Sequence, residues 1–83
     1  MNLFQQYQIE LSKAKKTLAE LQIKIRFNLT EIAERANPFL SSTIEEIKTD
    51  EIVMLAAELS EVQKKAVDLI QKIKNIEREL NFT

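Results

Sequence analysis

The sequence predicts an all-α fold, a long antiparallel helical hairpin that forms a helical bundle by self-association. Apolar residues recur in alternating steps of three and four from 52 to 80, the pattern of a helix packed along a seam. The chain contains no glycine and only one proline, which is typical of long uninterrupted helices. With 83 residues we expect one domain over 1–83, with a helix over 3–36, a turn over 37–42 and a helix over 43–80.

The first predicted helix carries an apolar stripe of its own. Its members are Phe4, Tyr7, Leu11, Ala14, Leu18, Leu21 and Ile25. After Ile25 the expected stripe position is occupied by Asn28, and the apolar residues move to Leu29 and Ile32. An extra step of this kind is a stutter, which locally unwinds a coiled coil. We therefore expect the first helix to change its facing, or to bend, near Asn28.

The turn between the helices is predicted from Asn37 and Pro38. Proline lacks the amide hydrogen that a helix needs, and it disfavours helical backbone angles in the residue before it. Phe39 and Leu40 follow in the turn, and we expect their side chains to plug this end of the hairpin.

The start of the second helix has competing signals. Ser42 with Glu45 matches a capping box, and the same pattern recurs one residue later. Thr49, followed by two acidic residues, is a further start signal. We favour one continuous or gently kinked helix over 43–80, with a separate helical turn over 43–48 as the alternative.

The composition excludes several kinds of site. The chain has no cysteine and no histidine, so it lacks disulfides, the usual zinc ligands and the usual general base. We expect no cofactor, no bound metal and no enzymatic activity. The N-terminal segment lacks the pattern of a signal peptide, and no apolar run is long enough for a membrane span. We therefore expect a soluble cytoplasmic protein that does not bind a membrane.

Both helices carry apolar residues outside their stripes, which predicts an interface. The predicted interface residues are Ile9, Ile23, Phe27, Val53, Met54, Val67 and Ile70. They widen the apolar arc of each helix beyond a two-helix seam, as in helical bundles, and a monomer would leave them exposed. A homodimer or higher oligomer that forms a four-helix bundle would cover them. The alternative is that they are scattered surface residues, which are common.

Charge is distributed unevenly along the chain. The formal charge is +2 over 1–36, −5 over 37–61 and +2 over 62–83, for a net charge of −1. This pattern favours antiparallel assembly, which brings the acidic turn end of one hairpin near the basic open end of another. The acidic isoelectric point of about 5.5 argues against a nucleic-acid partner.

A basic surface is predicted where the two helices lie side by side. Its residues are Tyr7, Lys13, Lys16, Lys65 and Lys72. Such lysines could bind a phosphate-bearing ligand such as a nucleotide, with the aromatic ring stacking on a base. The alternative is an ordinary solvated basic flank.

An acidic motif offers a different chemistry. Glu58, Glu61 and Asp68 lie on one helical face, where three carboxylates could hold Mg²⁺. The sequence LAAELSEVQK around the two glutamates resembles the E-x-x-E helix of MazG-like nucleotide pyrophosphohydrolases, all-α enzymes that bind magnesium with this motif and a downstream E-x-x-D helix. No E-x-x-D follows here, so the resemblance implies a relative with an incomplete site. The alternative is that the glutamates are solvated charges that pair with Lys64 and Lys65.

The sequence thus predicts a non-enzymatic hairpin that binds itself and a protein partner, as an adaptor, inhibitor or regulator. An oligomeric binder of a phosphate-bearing ligand and a MazG-like relative are the alternatives.

Overall fold

A computed structural model describes residues 2–40 and 43–82 and confirms the all-α helical hairpin. The chain forms helix α1 over Leu3–Arg35, a short 3-10 helix over Ile44–Glu46 and helix α2 over Thr49–Phe82. No strand occurs in these two described ranges. At about 1.5 Å per residue, each long helix is about 50 Å in length.

Ion pairs between the two helices show that the helices run antiparallel. They join Lys15 to Glu77 (Nζ–Oε2 3.9 Å), Lys24 to Glu58 (Nζ–Oε1 3.3 Å) and Arg35 to Glu51 (Nε–Oε2 3.4 Å). From one pair to the next, the residue on α1 lies closer to the C-terminus of α1, and its partner lies closer to the N-terminus of α2. Most of these side chains are substantially exposed, so each pair stabilises the fold by about 0–1 kcal/mol at most.

The apolar seam between the helices supplies the core. Every member of the 52–80 stripe is buried or half-buried, as the heptad pattern predicts. Among the described residues, the buried apolar ones are Ala14, Val62, Ala66, Ile73 and Ile76. The larger stripe residues of α1, such as Leu18 and Leu21, are only half-buried. The seam therefore aligns the helices without completely covering them.

The expected change of facing at Asn28 does not occur, and α1 continues as one helix to Arg35. Asn28 is 2% exposed and lies in the seam, whereas Leu29 is 51% exposed. Ile32, four residues after Asn28 on the same row, is half-buried. The apolar stripe of α2 is regular throughout. We infer that α1 is more stable when it keeps the same face against this stripe than when it rotates to bury Leu29. The cost is a buried amide nitrogen, Nδ2, without a hydrogen-bond partner among the described residues.

The N-terminus of α1 has a capping box that the sequence analysis did not identify. Asn2 Oδ1 accepts a hydrogen bond from the backbone amide of Gln5 at 2.8 Å. Gln5 Oε1 in turn accepts one from the backbone amide of Asn2 at 3.3 Å. The two side chains thus satisfy backbone donors that have no partner within the helix.

Removing this cap is expected to destabilise the protein modestly. Asn2→Ala should lower the free energy of unfolding by about 0.5–2 kcal/mol, because the first-turn amide loses its acceptor. Urea denaturation monitored by circular dichroism measures the change. Gln8→Ala, at an exposed position in the same helix, is the control. Equal stabilities of the two variants would show that the cap contributes nothing.

The turn after α1 is closed by Asn37. Its Oδ1 accepts a hydrogen bond from the amide of Phe39 at 3.0 Å, and its carbonyl accepts one from the amide of Leu40 at 3.2 Å. The expectation that Phe39 and Leu40 plug the end of the hairpin is wrong, since Phe39 is 92% exposed and Leu40 is also exposed. Asn37 closes the turn with hydrogen bonds, and the two apolar side chains remain at the surface.

The second helix does not run continuously from residue 43. The separate helical turn that was the alternative is present as Ile44–Glu46, and α2 begins at Thr49. Ile47 between them has an extended backbone, with φ −68° and ψ 123°. The carbonyl of Lys48 accepts the first hydrogen bond of α2, from the amide of Ile52. Two acidic residues follow in the first turn, where the helix dipole favours negative charge.

The remaining predictions for this helix concern its caps and its end. Ser42, the predicted cap, lies outside the described residues. Thr43 makes no capping hydrogen bond with its side chain. The helix extends to Phe82, two residues beyond the predicted end.

The hairpin forms a single layer of two helices. Its Cα atoms extend over 63 × 17 × 14 Å. Within the described part of the chain, neither helix has an apolar segment of the length and hydropathy needed to cross a bilayer.

Candidate functional site

An open apolar groove runs between the helices along one side of the hairpin. Its volume is about 380 Å³. It is lined by Leu18, Gln22, Ile25 and Leu29 from α1 and by Leu59, Gln63, Ala66, Val67 and Ile70 from α2. None of these lining residues is charged. We call this surface the apolar groove.

The position of the groove follows from the seam of α2. Val67 and Ile70 each come one residue after a seam residue, which places them about 100° around the helix on the same flank. Val53 also comes one residue after a seam residue, so it lies on this flank nearer the turn. All three side chains are exposed in the hairpin, with Val67 exposed by 56%.

The other predicted interface residues lie elsewhere on the hairpin. Ile9, Ile23 and Phe27 are on the side of α1 that faces away from α2, and all three are exposed. Met54 precedes a seam residue by one position, so it lies on the opposite flank of α2 from Val67. The structure therefore brings Val67 and Ile70 together in the apolar groove but distributes the predicted set over three sides.

A charged cluster on the opposite flank centres on Arg35, which the sequence analysis did not single out. Arg35 donates a hydrogen bond to the carboxylate of Glu31 and forms the ion pair with Glu51. The hydrogen bond with Glu31, together with the negative charge of both carboxylates, raises the pKa of Arg35 above its usual value, while partial desolvation opposes this rise. The guanidinium is thus engaged with two carboxylates, which leaves it poorly suited to bind a phosphate group.

The predicted basic surface is only partly assembled. Lys65 and Lys72 line one shallow groove of about 360 Å³, and Asp68 lies between them on the same helix. The single carboxylate offsets one of the two ammonium charges. Tyr7 is half-buried in the seam, which limits stacking on a base.

The other two predicted lysines do not line this groove. Lys13 and Lys16 are exposed on α1. Lys16 lies two residues after Ala14 and two before Leu18, both in the seam, so its side chain starts from the far side of α1. The five predicted residues therefore do not form one common site.

The acidic motif is engaged with α1 rather than with lysines on its own helix. Glu58 pairs with Lys24 at 3.3 Å, and not with Lys65 as the sequence analysis considered. Glu61 is exposed. Across residues 2–40 and 43–82, no three acidic, histidine or cysteine side chains are arranged to hold a metal ion.

Comparison with known proteins found no matching family model, no matching curated protein and no matching solved structure.

Proposed function

We propose that this chain is a non-enzymatic helical-hairpin protein that self-associates and acts by binding another macromolecule, as an adaptor, inhibitor or regulator. The observation that carries the proposal is the imbalance between buried and exposed apolar side chains. Among the described residues, fourteen large apolar side chains are exposed, whereas five apolar residues are buried. Where such side chains are contiguous, as along the apolar groove, they are typical of interaction surfaces.

The surface area of the hairpin supports the same proposal. A compact monomer of 9.7 kDa is expected to have an accessible surface of about 5,100 Å². The hairpin has 6637 Å², an excess of about 1,500 Å². The hairpin is a single layer of two helices, whereas stable domains usually contain two packed layers. A second layer from another molecule would cover the half-buried seam.

More than one surface is available for binding. The apolar groove lies on one side of the hairpin, and Ile23 and Phe27 lie on the far side of α1. Phe39 and Ile44 are exposed at the turn. A molecule that covers the groove leaves the other two surfaces open, which supports both self-association and the binding of a different macromolecule.

Native mass spectrometry of the protein purified from its own cells tests this proposal. We expect a multiple of the 9.7 kDa chain, accompanied by a second macromolecule at defined stoichiometry. Detection of the isolated monomer alone, at micromolar protein concentration and in gentle buffer, would contradict it.

The ligand-binding alternative is favoured by one observation, the groove that Lys65 and Lys72 share. Because Asp68 occupies the same groove, we expect millimolar mono-, di- and cyclic nucleotides at low salt to leave the melting temperature unchanged. A thermal-shift screen measures this, since a ligand that binds the folded state raises the melting temperature. A large shift with one nucleotide, retained in Lys16→Ala and lost in Lys65→Ala, would favour the ligand-binding function instead.

The MazG-like alternative makes a separate prediction. It requires magnesium-dependent release of pyrophosphate from a nucleoside triphosphate, with loss of the activity in Glu58→Gln. We expect no such release, because within residues 2–40 and 43–82 no three acidic side chains are arranged to hold the magnesium ion that this chemistry requires.

A further inference from the structure

We infer that the apolar groove is the self-association surface, and that it is covered by the same groove of a second copy of this chain in antiparallel orientation. This inference rests on the self-association in the proposed function. It deepens that proposal by naming the surface, the occupant and the orientation.

The charge distribution around the hairpin favours the groove over the opposite flank. In a two-fold dimer the same surface of both copies meets, so any charge near the axis is brought close to an identical charge. The nine residues that line the groove are uncharged. At the level of the groove the opposite flank carries Lys24 with Glu58, and Lys65 and Lys72 with Asp68. On the groove flank the charged residues, the Lys15–Glu77 pair and Lys74, lie beyond the groove toward the open end. Two grooves can therefore meet without placing like charges together.

The excess surface of the whole hairpin is large enough to supply the interface of a stable dimer. The excess surface of about 1,500 Å² per copy amounts to about 3,000 Å² for two copies, within the range of about 2,000–5,000 Å² seen for obligate homodimers. The groove spans residues 59–70, near the middle of α2, so a two-fold axis through it superposes the two hairpins along most of their length.

The charges at the two ends of the hairpin decide the orientation. In a parallel dimer the two segments over 37–61, each with a charge of −5, would lie side by side. In an antiparallel dimer each of these segments lies beside the basic open end of the other copy. The two-fold axis then crosses the helices, and each helix lies over its own counterpart. This places Gln63, in the middle of the groove, near Gln63 of the partner subunit, where the two amides can hydrogen-bond.

Lysine substitutions on opposite flanks of α2 test the surface. Val67→Lys places a charge in the groove, and Met54→Lys is the matched control, because Met54 is 72% exposed on the other flank. Sedimentation equilibrium should show that Val67→Lys raises the dimer dissociation constant at least about tenfold and that Met54→Lys leaves it unchanged. Loss of the dimer supports the inference whether the Val67→Lys monomer stays helical or unfolds, provided that Met54→Lys dimerises. A Val67→Lys protein that dimerises like the wild type overturns it.

A cysteine substitution tests the orientation and does not depend on disrupting the dimer. The natural chain has no cysteine, so Gln63→Cys is the sole thiol. Oxidation should link two copies of Gln63→Cys in high yield and should not link Glu61→Cys comparably, because Glu61 is exposed and precedes a seam residue by one position, which places it on the opposite flank. Equal yields overturn the antiparallel groove contact.

The outcomes separate this inference from the proposal on which it rests. A wild-type protein that is monomeric at all concentrations overturns both. A wild-type dimer that is dissociated by Ile23→Lys but not by Val67→Lys retains the proposed self-association and overturns the assignment of the groove.

Discussion

Replacing Ile73 by alanine is expected to lower the free energy of unfolding by about 2–5 kcal/mol. Ile73 is 7% exposed and is one of the few large apolar side chains that are buried. The substitution removes three buried carbon atoms and leaves a cavity that the two helices cannot readily collapse to fill. Because a small domain has little stability in reserve, a loss of this size is a large fraction of the total.

Ile23→Ala is the matched control for Ile73→Ala. The same atoms are removed, but Ile23 is 71% exposed on the side of α1 that faces away from α2. We expect its free energy of unfolding to stay within about 0.5 kcal/mol of the wild-type value. Urea denaturation of both variants at one protein concentration measures the difference. Equal losses would show that the seam is not the core of the protein.

Substitutions of Asn28 are expected to change stability in opposite directions. Asn28→Leu removes the buried amide whose Nδ2 has no partner, and it should raise the free energy of unfolding by about 1–3 kcal/mol. Asn28→Asp places a carboxylate at the same buried position, and it should lower the free energy of unfolding by about 3–5 kcal/mol at neutral pH.

The pH dependence of Asn28→Asp provides a check on the mechanism. Burial raises the pKa of the introduced carboxyl in the folded state above its unfolded value. The folded state therefore binds the proton more tightly, and the variant should become more stable relative to the wild type as the pH is lowered. Urea denaturation of the wild type and the variants at several pH values measures this. A loss that does not change with pH would show that the carboxylate is exposed, and hence that the seam is open at residue 28.

The fold was predictable because most of its determinants are local in sequence. The alternating stripe over 52–80 identifies the seam of α2 without reference to the rest of the chain, and the structure buries each of its members at least partly. The facing of α1 at Asn28 was not predictable in this way. It depends on the energy of staying in register with α2, and hydrophobicity along α1 alone favoured Leu29. The interruption at Ile47, between the 3-10 helix and α2, likewise depends on where the chain begins to pack against α1 after the turn.

The candidate site was less predictable, because it is formed by residues beside the apolar stripes and depends on which side of the seam each of them lies. Apolar residues outside the stripes indicated an interface. To tell which of them share one surface, the position of each residue relative to the seam has to be known. Val67 and Met54 differ in this respect although both are exposed. The pairing of Glu58 with Lys24 depends on the register between the helices, which the sequence of neither helix reveals.

Sedimentation equilibrium of the unmodified protein tests the central claim most directly. We expect a mass of twice 9.7 kDa at micromolar concentration, with dissociation on dilution accompanied by a fall in helical content. A single species of 9.7 kDa that remains fully helical at every concentration would contradict the account, because the hairpin would then be stable with its apolar groove exposed to water.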